Sequence, residues 1–384
     1  MKSIELFSGA GGLAHGLSNS GFDHAKFVEF NRDACASLRA NFGDQLVHEG
    51  DVRDFDLSRL SDIDLVAGGP PCQPFSMGGK HQAHDDGRDM FPPAINVVRQ
   101  LKPRAFVFEN VKGLLRESFS AYFDYILERL RYPDLTRRET EDWQEHLKRL
   151  KSDGPGAGGL SYRVFYRLLN AADYGVPQIR ERVFIVGIRN DLSVNWDFPP
   201  ATHSRRLLAI DQGVDGSYWD RHKIPFAERQ IARLTRAASI EGDLFKATKQ
   251  AWLTVRDAIG HLPAPETSHN LADHLYRDGA RTYPGHTGSY IDSPAKTLKA
   301  GVHGVPGGEN MIRYHDGSVR YFTVREAKLL QTFPEDFVIS GAWSEGMRQV
   351  GNAVPVKLAE AIGAALYAAV GDYSRPLKGR VRVA

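Results

Sequence analysis

The chain predicts an α/β protein: a class I, mostly parallel, doubly wound sheet joined to a smaller irregular domain. Three observations carry that expectation. Short apolar runs alternate with amphipathic stretches over the first half, as in strand–helix–strand units. A glycine turn, Ser8-Gly9-Ala10-Gly11-Gly12, follows the first apolar run directly. Residues 192–320 then lose the alternation and become rich in Gly, Pro, His, Arg and aromatics.

Taken in order, the expected strands are Ile4–Phe7, Lys26–Glu29, Asp64–Ala67, Ala105–Glu109 and Arg182–Gly187. Helices are expected at Leu13–Ser20, Asp33–Asn41, Phe91–Leu101 and Phe119–Arg131. Residues 132–160 are highly charged and end in Asp153-Gly154-Pro155-Gly156-Ala157-Gly158-Gly159, which reads as a surface insertion. Pro355–Val370 is a good helix with proline in its first turn. The chain opens on its first strand, so no separate N-terminal regulatory segment is expected. The C-terminal helix is expected to return beside that strand. The first domain is then discontinuous, with 1–191 and 341–384 enclosing a second domain at 192–340.

A hydrophobic content of 42% and a charged content of 25% are ordinary for a globular chain. There is no run of 18 apolar residues and no basic-then-apolar leader, so a cytoplasmic protein without a membrane is expected. Two cysteines, Cys35 and Cys72, are too few for a disulfide framework or a zinc site, and no metal is expected. The net charge is +2. The first 120 residues lean acidic and the remainder basic, which fits a cofactor-binding part joined to a nucleic-acid-binding part.

The glycine turn lets backbone approach a ligand closely. Glu29 ends the second strand, where a carboxylate accepts from ribose hydroxyls, and Asp51 follows the third strand region, placed for an adenine amino group. No Lys or Arg stands in the turn to hold a pyrophosphate. That favours S-adenosyl-L-methionine over a nicotinamide dinucleotide. Further along, Gly68-Gly69-Pro70-Pro71-Cys72-Gln73-Pro74-Phe75-Ser76 places a cysteine just past a strand, and Glu109 ends the next one. Ligands in such sheets sit beyond the carboxyl ends of the strands. The pair supplies a nucleophile and a group able to protonate a ring nitrogen.

These segments, with Gln178-Ile179-Arg180-Glu181-Arg182 and Gly351-Asn352-Ala353-Val354-Pro355, resemble the cytosine-C5 DNA methyltransferases of bacterial restriction–modification type. The resemblance covers roughly residues 1–115, 162–190 and 290–370. It implies that Phe7, Gly9, Ala10, Gly11, Glu29, Phe30, Asp51, Val52, Pro71, Met90, Asn352 and Val354 line the cofactor pocket. It further implies that Cys72 attacks carbon 6 of a flipped cytosine while Glu109 protonates N3, with Arg180 and Arg182 anchoring Glu109 and the base or its phosphate. A free cysteine has a pKa of about 8.5, so the thiolate needs help near neutral pH. Glu109 must hold a proton, so its pKa should be raised.

Double-stranded DNA is the implied partner, with a cognate restriction endonuclease in the same system and a monomeric enzyme. Ser76, Gln178, Thr297 and Leu298 are expected at the DNA. Gln73–Asp89 reads as a lid over the flipped base. Gly301–Asn310 reads as a recognition loop, with His303 and Asn310 as candidate base readers. Arg325 and Glu326 read as structural. A tRNA methyltransferase would carry a cysteine in its second half, which this chain lacks. A degenerate binding module would have lost the nucleophile or the acid, and both are present. The proline–cysteine loop argues against an oxidoreductase.

Overall fold

In the computed structural model, described for residues 1–71, 89–156, 158–229, 248–300 and 310–371, seven strands form one sheet. These are β1 (Lys2–Leu6), β2 (Asp23–Glu29), β3 (Val47–Glu49), β4 (Leu65–Gly68), β5 (Ala105–Val111), β6 (Tyr162–Asn170) and β7 (Glu181–Arg189). Their order is β3-β2-β1-β4-β5-β7-β6. All neighbours pair in parallel except β7, which is antiparallel to both β5 and β6. The order reverses around β1, which opens a crevice at the carboxyl ends of β1 and β4.

Five helices accompany this sheet: α1 (Gly12–Asn19), α2 (Arg32–Phe42), α3 (Phe91–Leu101), α4 (Ser120–Arg131) and α5 (Trp143–Asp153). Proline near the start of α3 costs nothing, because those N–H groups have no intrahelical partner. Asn31 caps α2 by accepting from Ala34 N at 2.9 Å. The charged insertion is more than surface. Its helix α5 starts with an Asp142–Glu145 capping box and buries His146 and Leu150 against α4, where Tyr125 Oη and His146 Nδ1 lie 2.9 Å apart.

The remainder is built from smaller pieces. The two-residue strands β8 (His203–Ser204) and β9 (Gln250–Ala251) pair with each other, and β10 (Ser289–Tyr290), β11 (Met311–Arg313) and β12 (Val319–Tyr321) form a small sheet. Helices α6 (Arg205–Gly213), α7 (Ser217–Arg221), α8 (Val255–Ile259) and α9 (Val324–Leu330) surround these strands. Asp292 ties this region together, accepting from both arms of Arg256, from Tyr218 at 2.6 Å and from His315. Thr323 and Glu326 form the capping box of α9, and Glu326 also takes both arms of Arg320. Arg325 pairs with Glu335. Both residues read as structural are engaged structurally.

The described residues end in α10 (Trp343–Asn352) and α11 (Val356–Gly371). Helix α11 packs along α1, burying Leu358, Ile362, Leu366 and Val370 in the same cluster as Leu13 and Leu17. The approach depends on Gly16: a Cβ there would lie 2.4 Å from Ala359 Cβ. The helix therefore rests on α1 rather than directly beside β1, and it carries the segment before it back to the crevice.

Candidate active site

The crevice holds a cavity of about 640 Å³, within the range of small-molecule sites. Its floor is the turn after β1. Phe7 adopts a positive φ of 54°, unusual for a residue with a side chain, and Gly9 repeats it at 54°. The Ser8 hydroxyl donates to Glu5 O at 2.9 Å and locks the turn onto β1. Glu29 spans the next wall: Gly9 N donates to its Oε2 at 2.8 Å and Asn31 N to its Oε1 at 2.7 Å. Phe30 stands beside it in the cavity wall, 77% exposed. Asn352 and Val354 close the opposite side, brought there by α11. Gly12 is needed for that closure, since a Cβ would fall 2.2 Å from Val354 O.

The far end of the cavity is made by β4 and β5. Gly69, Pro70 and Pro71 line it together with Glu109. Asn110 fixes the proline turn by donating from Nδ2 to Pro70 O at 2.9 Å. Glu109 is 8% exposed, and burial raises its pKa above the ordinary carboxyl value, against the opposing pull of Arg182 and Arg180. Arg182 Nε lies 2.8 Å from Glu109 Oε1, yet that oxygen accepts no aligned hydrogen bond among the described residues. The strand register explains the pairing. Val111 faces Arg182 and Glu109 faces Phe184, so Arg182 and Glu109 are diagonal neighbours on one face.

Several expected residues stand elsewhere. Cys72, Ser76, the proposed lid up to Arg88, and the loop 301–309 with His303 lie outside the described residues. Asp89, the last lid residue, accepts from Phe91 N and the Tyr122 hydroxyl. Ala10 and Val52 are buried in cores, Gly11 packs on Phe42 and Leu38, and Met90 sits at the start of α3. None of the four lines the cavity. Asp51 is also outside its wall, gripped by Arg53 through Nε at 2.9 Å and Nη2 at 2.5 Å, which holds its carboxyl below the ordinary range. The expected lining by these five is therefore corrected for this conformation: the side chains of Ala10, Val52 and Met90 pack, Asp51 pairs with Arg53, and Gly11, which has no side chain, lies close to Phe42 and Leu38.

The expected DNA contacts need a similar correction. Gln178 is fully buried, taking Leu298 N at 3.0 Å and donating to Gln331 Oε1 at 3.2 Å. Leu298 is 1% exposed. Arg180 is fully buried too, and donates to Leu298 O and Gly351 O at 3.2 and 2.8 Å, so it fastens backbone rather than Glu109. Asn310 pairs with Lys299 N and O at 3.0 and 2.9 Å, joining the two ends of the loop instead of projecting from it. Thr297 stays half-buried, its hydroxyl donating to Ile179 O at 2.8 Å. Sequence reasoning missed Glu5, Ser8 and Asn110. The signal for Asn110 was its place in Glu109-Asn110-Val111; the other two carried none.

A sheet of this order, with the Glu29 carboxylate on one side of the crevice and the buried Glu109 carboxyl on the other, has the layout of an adenosyl-cofactor-dependent transferase. The profile of the C-5 cytosine-specific DNA methylase family matches residues 1–134 and 135–368. The Type II methyltransferase M.NgoMIV of Neisseria gonorrhoeae is 30% identical, over 94% of this chain and 95% of that protein. M.PspPI of a Psychrobacter species is 31% identical over 94% of this chain and 78% of that protein. The M.AquIA methyltransferase of a Picosynechococcus species is 36% identical over 68% of this chain and 89% of that protein. Among solved structures, the S. pombe Dnmt2 methyltransferase superposes with a TM-score of 0.58 at 18% identity. That match covers 96% of this chain and 98% of the other, and it speaks for the fold. The chain belongs to the C-5 cytosine-specific DNA methylase family. Its activity is methyl transfer from S-adenosyl-L-methionine to carbon 5 of cytosine in DNA.

Proposed function

We propose that the chain methylates one short duplex sequence, with the cavity between Glu29 and Glu109 as the site of transfer. The observation that carries the reading is Glu109: a buried carboxyl with a raised pKa, an oxygen that accepts no aligned hydrogen bond among the described residues, and Arg182 beside it. S-adenosyl-L-methionine supplies an activated methyl group on a sulfonium. The donor set suits it, with Glu29 for the ribose, Phe30 to cover the adenine, and Asn352 and Val354 closing over the arm.

In this reading the Cys72 sulfur adds to carbon 6 of an extruded cytosine, and Glu109 gives its proton to N3 so that carbon 5 becomes nucleophilic. Carbon 5 would take the methyl group as its bond to the sulfonium breaks, and loss of the carbon 5 proton to a base would then expel the thiolate while N3 returns its proton to Glu109. Arg182 orients Glu109, and Asn110 holds the Pro70–Pro71 turn that leads into Cys72. Residues 1–191 with 341–384 act as the catalytic part, and 192–340 as the recognition part, with Thr297 and Ser76 near the phosphates. The Type II names of the relatives support a role in protecting host DNA from a cognate restriction endonuclease. The enzyme works as a monomer, in the cytoplasm at the nucleoid.

The test is bisulfite sequencing of DNA from cells expressing the chain, with Cys72→Ala as control. Methyl marks are expected at carbon 5 of cytosine within one short motif, absent in the variant. Marks that persist in the variant sink the mechanism.

A further inference from the structure

We propose that Tyr122 is a positioning residue for methyl transfer: through Asp89 it fixes the backbone that leads into Cys72, and the 132–160 insertion is the buttress behind it. The proposal rests on reading Cys72 as the nucleophile. No described residue of the insertion lines the cavity, so any effect it has on the site is transmitted through other residues.

The path starts at the cavity wall. Pro71 stands in that wall and directly precedes Cys72 in the chain. Its carbonyl accepts from Met90 N at 3.3 Å, and the Pro70 carbonyl accepts from Asn110 Nδ2 at 2.9 Å. Two successive prolines have no N–H to donate, so these carbonyls are where the turn is held. Met90 is placed by its neighbour Asp89, which is 7% exposed. Asp89 Oδ1 accepts from Phe91 N at 3.1 Å, at the start of α3, and Oδ2 accepts from the Tyr122 hydroxyl of α4. Burial, and then the Asp89 charge, push the Tyr122 pKa up, so the hydroxyl stays a donor.

The insertion seats that tyrosine. Trp143, the first residue of α5, meets the Tyr122 ring edge-on at 5.7 Å and lies 5.7 Å from the Tyr125 ring. Tyr122 and Tyr125 are three residues apart and share a face of α4. His146 fixes Tyr125 in turn. Burial lowers the His146 pKa to about 4, so its ring is neutral. Its Nε2 faces Leu135 O at 2.9 Å and carries the proton, which leaves Nδ1 to accept from the Tyr125 hydroxyl at 2.9 Å. The aromatic cluster thus sets where the Tyr122 hydroxyl points. A misplacement of reacting atoms by about 1 Å can cost about 100-fold in rate, so a brace on this turn acts on the chemistry as well as on stability.

The full chain is tested with S-adenosylmethionine and a duplex carrying 5-fluorocytosine at the target of the methylated motif. Sulfur bonds carbon 6 and carbon 5 takes the methyl, but fluorine cannot leave as a proton does, so the covalent adduct persists. Tyr122→Phe keeps the ring in its cluster and removes only the hydroxyl. It is expected to slow adduct formation and kcat roughly 10- to 100-fold, with KM for cofactor and for DNA held within about twofold. Asp89→Ala should slow both to a similar degree. The double variant should be no slower than the slower single, within about twofold, because both substitutions break one linkage. Trp143→Leu leaves the hydroxyl but loosens its seat, and should cost roughly three- to tenfold in the same step. An unaltered adduct rate in Tyr122→Phe or Trp143→Leu, a matching rise in the KM values, or losses that multiply in the double variant overturns the proposal and leaves the Cys72 mechanism standing. If the unaltered protein forms no adduct, that mechanism falls and the proposal falls with it.

Discussion

Glu109 and Arg182 illustrate how two residues divide one task. Burial keeps the Glu109 proton on, while the guanidinium pulls the other way and limits the rise. In the proposed mechanism the acid form does the work, so the rate should fall as pH rises through the Glu109 pKa. Arg182→Met removes the nearest opposing charge. The alkaline limb of kcat should then move to higher pH even as the maximum rate drops, and a pH–rate profile on oligonucleotide substrate checks it. Glu109→Gln should lower kcat by about 10²- to 10⁴-fold while cofactor affinity holds, as measured by calorimetry. The place of Glu109 in the cavity wall was readable from its position at a strand end after Cys72. Arg180 was misread, because its spacing from Arg182 says nothing about which guanidinium turns toward the carboxyl.

Helices α1 and α11 lie nearly a full chain length apart in sequence and share one apolar cluster. Their contact is close because Gly16 offers no side chain, and the atoms a Cβ would meet include Val356 O and Glu360 N, both backbone at 2.6 Å. Gly16→Ala should therefore cost about 1–3 kcal/mol by urea unfolding and weaken cofactor binding, since α11 positions Asn352 and Val354. Among elements, the strongly apolar strands and helix α11 were legible. Strand β6 was not. It is an edge strand whose Arg163, Tyr166 and Arg167 break the apolar run, while Tyr162 and Leu169 are buried in the cores on its two faces. Helix α5 was read as surface, because its charges hide the His146 and Leu150 that contact α4.

At the scale of the whole molecule, one buried polar hub joins segments far apart in the sequence. Arg180 holds Leu298 and Gly351, Gln178 holds Leu298 and Gln331, and Gln331 Nε2 donates to Val350 O at 2.7 Å. Arg180→Met leaves two buried carbonyls without their donor. DNA affinity should fall at least about tenfold, with 5′-methylthioadenosine binding retained, in paired filter-binding and calorimetric assays. Unchanged DNA affinity would show that the hub does not position the recognition segment.

The amino-acid order by itself determined the chemistry: a proline-flanked cysteine, a strand-end glutamate and a glycine turn, each dictated by local backbone and side-chain requirements. It also determined the alternation that makes a parallel sheet. Only the tertiary structure decided which of those residues face the cavity. Orientation depends on strand register, on how closely α11 approaches α1, and on where Arg180 and Gln178 find partners more than a hundred residues away. Such pairings are long-range, and no local pattern encodes them.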